Sequence, residues 1–130
     1  MSVFLDTNIL VYAQQDEPRG ARAREIVARG GTINVQVLNE FANVLKRKMG
    51  QDWPAIIAAI EDVGVLLGAA LPITGAINAR ALTLARDHRF AFYDALIVAA
   101  AIDAKCRTLY SEDMQHGRTI EGLTIVDPFL

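Results

Sequence analysis

A chain of 130 residues, 52% of them hydrophobic and 22% charged, can bury one core but not two, which excludes both a multidomain protein and a disordered one. A lone cysteine, Cys106, excludes an intrachain disulfide framework and a cysteine-based zinc site, and reads as a packing residue. The formal net charge of −2 excludes a protein coated in positive charge, so any contact with nucleic acid must rest on local basic patches and bound cations.

In chain order, Val3-Phe4-Leu5 is a short buried strand, and Asp6-Thr7-Asn8 are cap-type residues ahead of the helical run Ile9-Leu10-Val11-Tyr12. Glu17-Pro18 opens a second helix, with Ala23, Ile26 and Val27 at helical intervals, which Gly30-Gly31 stops. The β-branched stretch Thr32 to Val35 predicts a second strand, followed by a helix with the stripe Val37, Leu38, Phe41, Val44 and Leu45, closed by Gly50. Asp52 with Trp53-Pro54 predicts a capped helix running to about Leu67. Leu71-Pro72-Ile73 is a candidate strand, and Thr74 is placed to cap a helix carrying Ile77, Ala81, Leu82 and Ala85.

The helix that begins near Tyr93 carries no charge from Ala95 to Ile102 and must be buried. Thr108-Leu109-Tyr110 and Leu123 to Val126 are the last two strands, separated by the polar stretch Ser111 to Gly117. Strands alternating with helices predict one α/β domain over 1–130, with a mainly parallel sheet of about five strands flanked by helices on both faces. No stretch approaches the ~18 uncharged apolar residues of a membrane span, and the start MSVFLDTN lacks a signal-like pattern, so a cytoplasmic protein is expected.

Ligands of such sheets sit beyond the carboxyl ends of the strands, and Asp6 and Asp113 both follow strands there. Asp94 opens the most apolar helix, and Glu40 stands on the rim of a core-facing stripe. Singly, each acid has a structural alternative: a helix cap for Asp6 or Asp94, an edge ion pair for Glu40, turn chemistry for Asp113. Gathered at one edge they repel one another by several kcal/mol per close pair at an effective dielectric of ~20, and a divalent cation offsets that.

An all-oxygen set suits Mg²⁺ or Mn²⁺, which recruit waters and substrate phosphates as further ligands, and the expected chemistry is phosphodiester hydrolysis. The only histidines, His88 and His116, lack the serine or cysteine context of a nucleophile triad, although His116 is near enough to Asp113 in sequence to contact substrate. Two basic segments, Arg19/Arg22/Arg24/Arg29 and Lys46-Arg47-Lys48, serve equally as solvated helix faces or as phosphate-binding patches.

The motifs Phe4-Leu5-Asp6-Thr7-Asn8-Ile9-Leu10, Val37-Leu38-Asn39-Glu40-Phe41, Phe92-Tyr93-Asp94-Ala95-Leu96-Ile97 and Ser111-Glu112-Asp113-Met114 with His116-Gly117 resemble, in order, the four motifs of PIN-domain nucleases. Within that family the likeness is to VapC-type toxins of bacterial toxin–antitoxin pairs, and it spans nearly the whole chain. It implies that Asp6 and Asp94 bind metal, that Glu40 is catalytic, that Asp113 contributes to the same acidic set, and that Thr7 and Asn8 support Asp6 from behind. It further implies an endoribonuclease needing Mg²⁺ or Mn²⁺, often a homodimer, silenced by a VapB-type antitoxin whose C-terminal segment fills the active-site groove. The fourth motif departs mildly, with Ser111 where threonine is common, and Glu112 stands ready to substitute for Asp113.

Two other readings compete. A haloacid-dehalogenase-like phosphohydrolase wants a second aspartate where this chain has Asn8, and a receiver-like module wants an acidic neighbour that Asp6 lacks. A PIN-type domain that binds RNA without cutting it, or a housekeeping RNA-processing domain, stays open on the sequence alone.

Overall fold

The computed structural model describes residues 2–130, and its elements follow from local signals. Strand β1 (Val3–Leu5) passes directly into helix α1 (Thr7–Ala13), followed by α2 (Pro18–Arg29), α3 (Val35–Arg47), α4 (Trp53–Leu67), α5 (Gly75–His88) and α6 (Phe92–Asp103). Strands β2 (Thr108–Tyr110), β3 (Thr119–Ile120) and β4 (Leu123–Val126) complete the chain. Side-chain caps start four of the helices: Asp6 accepts from the Thr7 amide, Asn34 from that of Val37, Asp52 from that of Ala55, and Thr74 from that of Ile77.

The sheet has the order β1-β2-β4-β3. β1 runs parallel to β2 with Leu5 opposite Tyr110, β2 runs parallel to β4 with Tyr110 opposite Val126, and β3 is antiparallel to β4. Glu121 and Gly122 both adopt positive φ, which lets a two-residue turn join β3 to β4 with the twist of the strands. Phe4 and Leu5 are neighbours on opposite faces of β1 and both are fully buried, so both faces of the sheet are covered there.

The sheet therefore has four strands rather than about five, and two expected strands are not formed. Thr32 to Val35 contributes only single bridges, Thr32 to Phe4 and Asn34 to Leu71, because Asn34 caps α3 and commits the chain to helix at Val35. Leu71 to Ile73 stops at that second bridge because Pro72 has no amide to donate and Thr74 already caps α5. The short edge strand β3 was not foreseen, since two residues are too few to show an alternation.

The core is built from Phe4 and Leu5 on β1, Ile9 and Leu10 on α1, Val37, Phe41 and Leu45 on α3, and the unbroken buried run Ala95 to Ala101 on α6. The small residues Ala95, Ala99, Ala100 and Ala101 let α6 pack closely against α5, α3 and β2. Cys106 is buried with this core. No helix among the described residues is long and apolar enough to cross a membrane.

Candidate active site

Parallel pairing of β1 with β2 brings residues 6 and 111 together just past the strand ends. The ladders run one residue further there, with the Asp6 amide donating to the Tyr110 carbonyl and the Ser111 amide to the Val126 carbonyl, each at 3.0 Å. Ser111 Oγ donates to Asp6 Oδ2 at 2.7 Å and accepts from the Asp113 amide at 3.2 Å. The Thr7 amide donates to Asp6 Oδ1 at 2.7 Å, so Asp6 does cap α1 while its second oxygen faces the β2 turn.

Asn8 ties the two ends of the chain. Its Nδ2 donates to Asp6 Oδ2 at 3.4 Å and to Asp113 Oδ2 at 3.2 Å, and its Oδ1 accepts from the Glu112 amide at 3.2 Å. Glu40 is held from two sides: Thr7 Oγ1 donates to Oε1 at 2.7 Å and Gln36 Nε2 to Oε2 at 3.1 Å. Gln36 escaped the sequence reading, yet the i,i+4 spacing on α3 was a usable signal. Asp94 lies in the first turn of α6 but does not cap it; Ala91 occupies that position without a side-chain bond.

The donors around these acids are hydroxyls, amides and backbone N–H groups. Among the described residues none of Asp6, Glu40, Asp94 and Asp113 forms an ion pair. Burial without a counter-charge pushes the Asp6 carboxyl up to about 7, and the negative charges of Glu40 and Asp94 add to the rise against the pull of the Ser111 and Thr7 hydrogen bonds. Asp94, half-buried, is also raised, first by burial and then by the charges of Glu40 and Asp113. The four acids thus share one electrostatic neighbourhood, and Asp113 is its exposed member.

Among the described residues no three acids, histidines or cysteines form a ready-made metal cage. The donor chemistry nonetheless fits a hard divalent cation, since the oxygens carry uncompensated charge and Mg²⁺ is commonly bound through only one or two carboxylates, with waters and phosphates as the other ligands.

Glu112 belongs to a different network from its neighbour. It accepts from Tyr12 Oη at 2.6 Å and is paired with Arg19, which also donates to Tyr12 Oη at 2.9 Å and lies over the Phe129 ring. Tyr12 and Arg19 come from α1 and α2, so no spacing within the fourth motif could have separated Glu112 from Asp113. His116 Nδ1 accepts from the Asp127 amide at 3.0 Å at the protein surface, and among the described residues no hydrogen bond joins it to the four acids. The acidic edge opens on a groove of about 470 Å³ bordered by Thr7, Asn8, Tyr12, Glu40, Lys48 and Asp113.

Several solved structures share this architecture. VapC20 from Mycobacterium tuberculosis, described as a sarcin–ricin loop cleaving toxin, superposes with a TM-score of 0.71 at 21% identity over 86% of this chain and 90% of its own. A toxin–antitoxin complex from Klebsiella pneumoniae gives 0.72 at 20% identity over 98% of each chain. VapBC2 from Rickettsia felis, solved with a DNA fragment from its promoter, gives 0.69 at 20% identity over 96% of this chain and 97% of that one. A search of curated protein sequences returns no match. Residues 3–120 match the sequence model of the PIN domain, a span that includes all four acids, and the chain belongs to the PIN domain family.

Proposed function

We propose that this protein is an Mg²⁺- or Mn²⁺-dependent endoribonuclease that acts in the cytoplasm as the toxin of a toxin–antitoxin pair, working as a homodimer and silenced by a VapB-type antitoxin. The observation that carries the nuclease reading is the buried, uncompensated Asp6 at the strand ends, sharing its electrostatic neighbourhood with Glu40 and Asp94. The toxin reading rests on the PIN domain match and on fold neighbours that include toxin–antitoxin complexes.

Asp6 and Asp94 would hold the ion, with Asp113 contributing at the outer rim or to a second ion. When bound, the ion supplies a water of lowered pKa and neutralises the charge that builds on the phosphate. Glu40, its two oxygens already oriented by Thr7 and Gln36, has lone pairs left to orient the attacking water or to ligate. Ser111 and Asn8 fix Asp6 and Asp113 relative to each other across the chain ends. Burial of Asp6 keeps bulk water from screening it.

Incubation of the purified protein with RNA and Mg²⁺ or Mn²⁺ tests this reading. Cleavage is expected with either ion, none in chelator, and losses in Asp6→Asn and Asp94→Asn larger than the 10–100-fold typical of groups one contact behind a metal ligand. Equal cleavage by wild type and variants, or cleavage that persists in chelator, would sink the mechanism; binding without cleavage would point to an RNA-binding PIN domain. Growth arrest on expression, relieved by the product of a neighbouring small gene, separates a toxin from a housekeeping nuclease.

A further inference from the structure

Helix α3 carries more of the groove than Glu40. Glu40, Val44 and Lys48 follow one another at i,i+4 spacing, with Asn43 and Arg47 in the adjacent row, so a single face of the helix runs from the acids to two cations. Asn43, Val44 and Lys48 also line the acidic groove, and a smaller depression of about 320 Å³ bordered by Asn43, Val44, Arg47 and Lys48 adjoins it. At 1.5 Å per residue, Lys48 lies ~12 Å along the helix axis from Glu40.

Favourable interaction with the helix dipole would account for basic residues at this end of α3, but it applies equally to Lys46. Lys46 instead lies over the Trp53 ring, 4.8 Å from its centre, and borders neither depression. Arg47 and Lys48 are exposed, and among the described residues neither forms an ion pair. A chain of net charge −2 with uncompensated acids at its groove repels a polyanion, so a strand reaching those acids needs cations along its path.

We propose that Arg47 and Lys48 bind backbone phosphates of the RNA strand flanking the scissile bond, so that α3 sets the direction in which the strand leaves the acidic site. This rests on the ribonuclease reading above. The two are separated by steady-state cleavage of a single-stranded RNA oligonucleotide in Mg²⁺ over a series of salt concentrations. Arg47→Gln/Lys48→Gln is expected to raise KM about tenfold with kcat held. The fall of log(kcat/KM) with log salt should become shallower by about 0.7 for each phosphate contact removed. Lys48→Arg in the Arg47 background should keep the wild-type slope, and Lys46→Gln should change neither quantity.

An unchanged KM and slope in the double variant, beside an active wild type, overturns the phosphate path and leaves the ribonuclease reading standing. An equal effect of Lys46→Gln also overturns it, by reducing the effect to bulk charge. Failure of the wild type to cut RNA overturns both readings.

Discussion

A carboxyl raised to about 7 by burial and like charge makes Asp6 a site where pH and stability are linked, and under the proposed function ion binding is linked with them. Between its ordinary value of 3.8 and about 7, the folded protein holds a proton that the unfolded chain has released. The ion-free protein is thus favoured below pH 4 in this respect and loses that contribution as pH rises through 7, on the order of 4 kcal/mol at ~1.4 kcal/mol per unit. Asp6→Asn should therefore raise the melting temperature in chelator at pH 8, with a gain that vanishes near pH 4; a thermal-unfolding series in pH measures it. Cleavage should fall as pH drops below about 7, because protons compete with the cation for the same oxygens. At the β2 turn the adjacent acids should part company. Asp113→Asn should lower kcat at least tenfold, whereas Glu112→Gln, removing a carboxylate already paired with Arg19, should leave kcat within a few-fold. The sequence put Asp6, Glu40, Asp94 and Asp113 on the page, but two neighbouring acids carry no mark of which one Tyr12 and Arg19 will claim from elsewhere in the chain.

Among the elements, caps that lie within a few residues were readable and those masked by a competing propensity were not. Asp52 and Thr74 announced α4 and α5, and both accept the expected amide. Asn34 was hidden inside the β-branched Thr32 to Val35, where strand propensity and a helix cap point to different structures and the cap prevails. The joint between α1 and α2 was equally silent. A Cβ on Gly20 would come within 1.9 Å of the Gln15 carbonyl oxygen and 2.9 Å of that of Tyr12, backbone atoms that cannot step aside. Gly20→Ala should therefore destabilise the protein at or above the upper end of the ~1–3 kcal/mol usual for overpacking, read as a lower urea midpoint at unchanged m. Because α1 carries Thr7 and Asn8, the same change should also weaken cleavage. Nothing in the residues around Gly20 marks it; only the approach of the C-terminal end of α1 and the turn after it makes it obligatory.

For the molecule as a whole, the charge left uncompensated at the sheet edge predicts stabilisation by Mg²⁺ or Mn²⁺. An ion at 100 times its dissociation constant adds about 2.7 kcal/mol, seen as a higher melting temperature that chelator reverses and that Asp6→Asn no longer shows. The sequence by itself determined the α/β class, the strands near its two ends, the buried α6 and the acidic residues. Those features are written in periods of two or about four residues and in the residue types next to them. Tertiary structure alone decided the parallel order β1-β2-β4, that Glu112 is ion-paired with Arg19 while Asp113 is not, that Thr7 and Gln36 hold Glu40, and that Asp6 is raised so far. Each of these except the i,i+4 contact of Gln36 depends on groups separated by many residues, and desolvation is a sum over everything packed around a side chain, which no local pattern encodes.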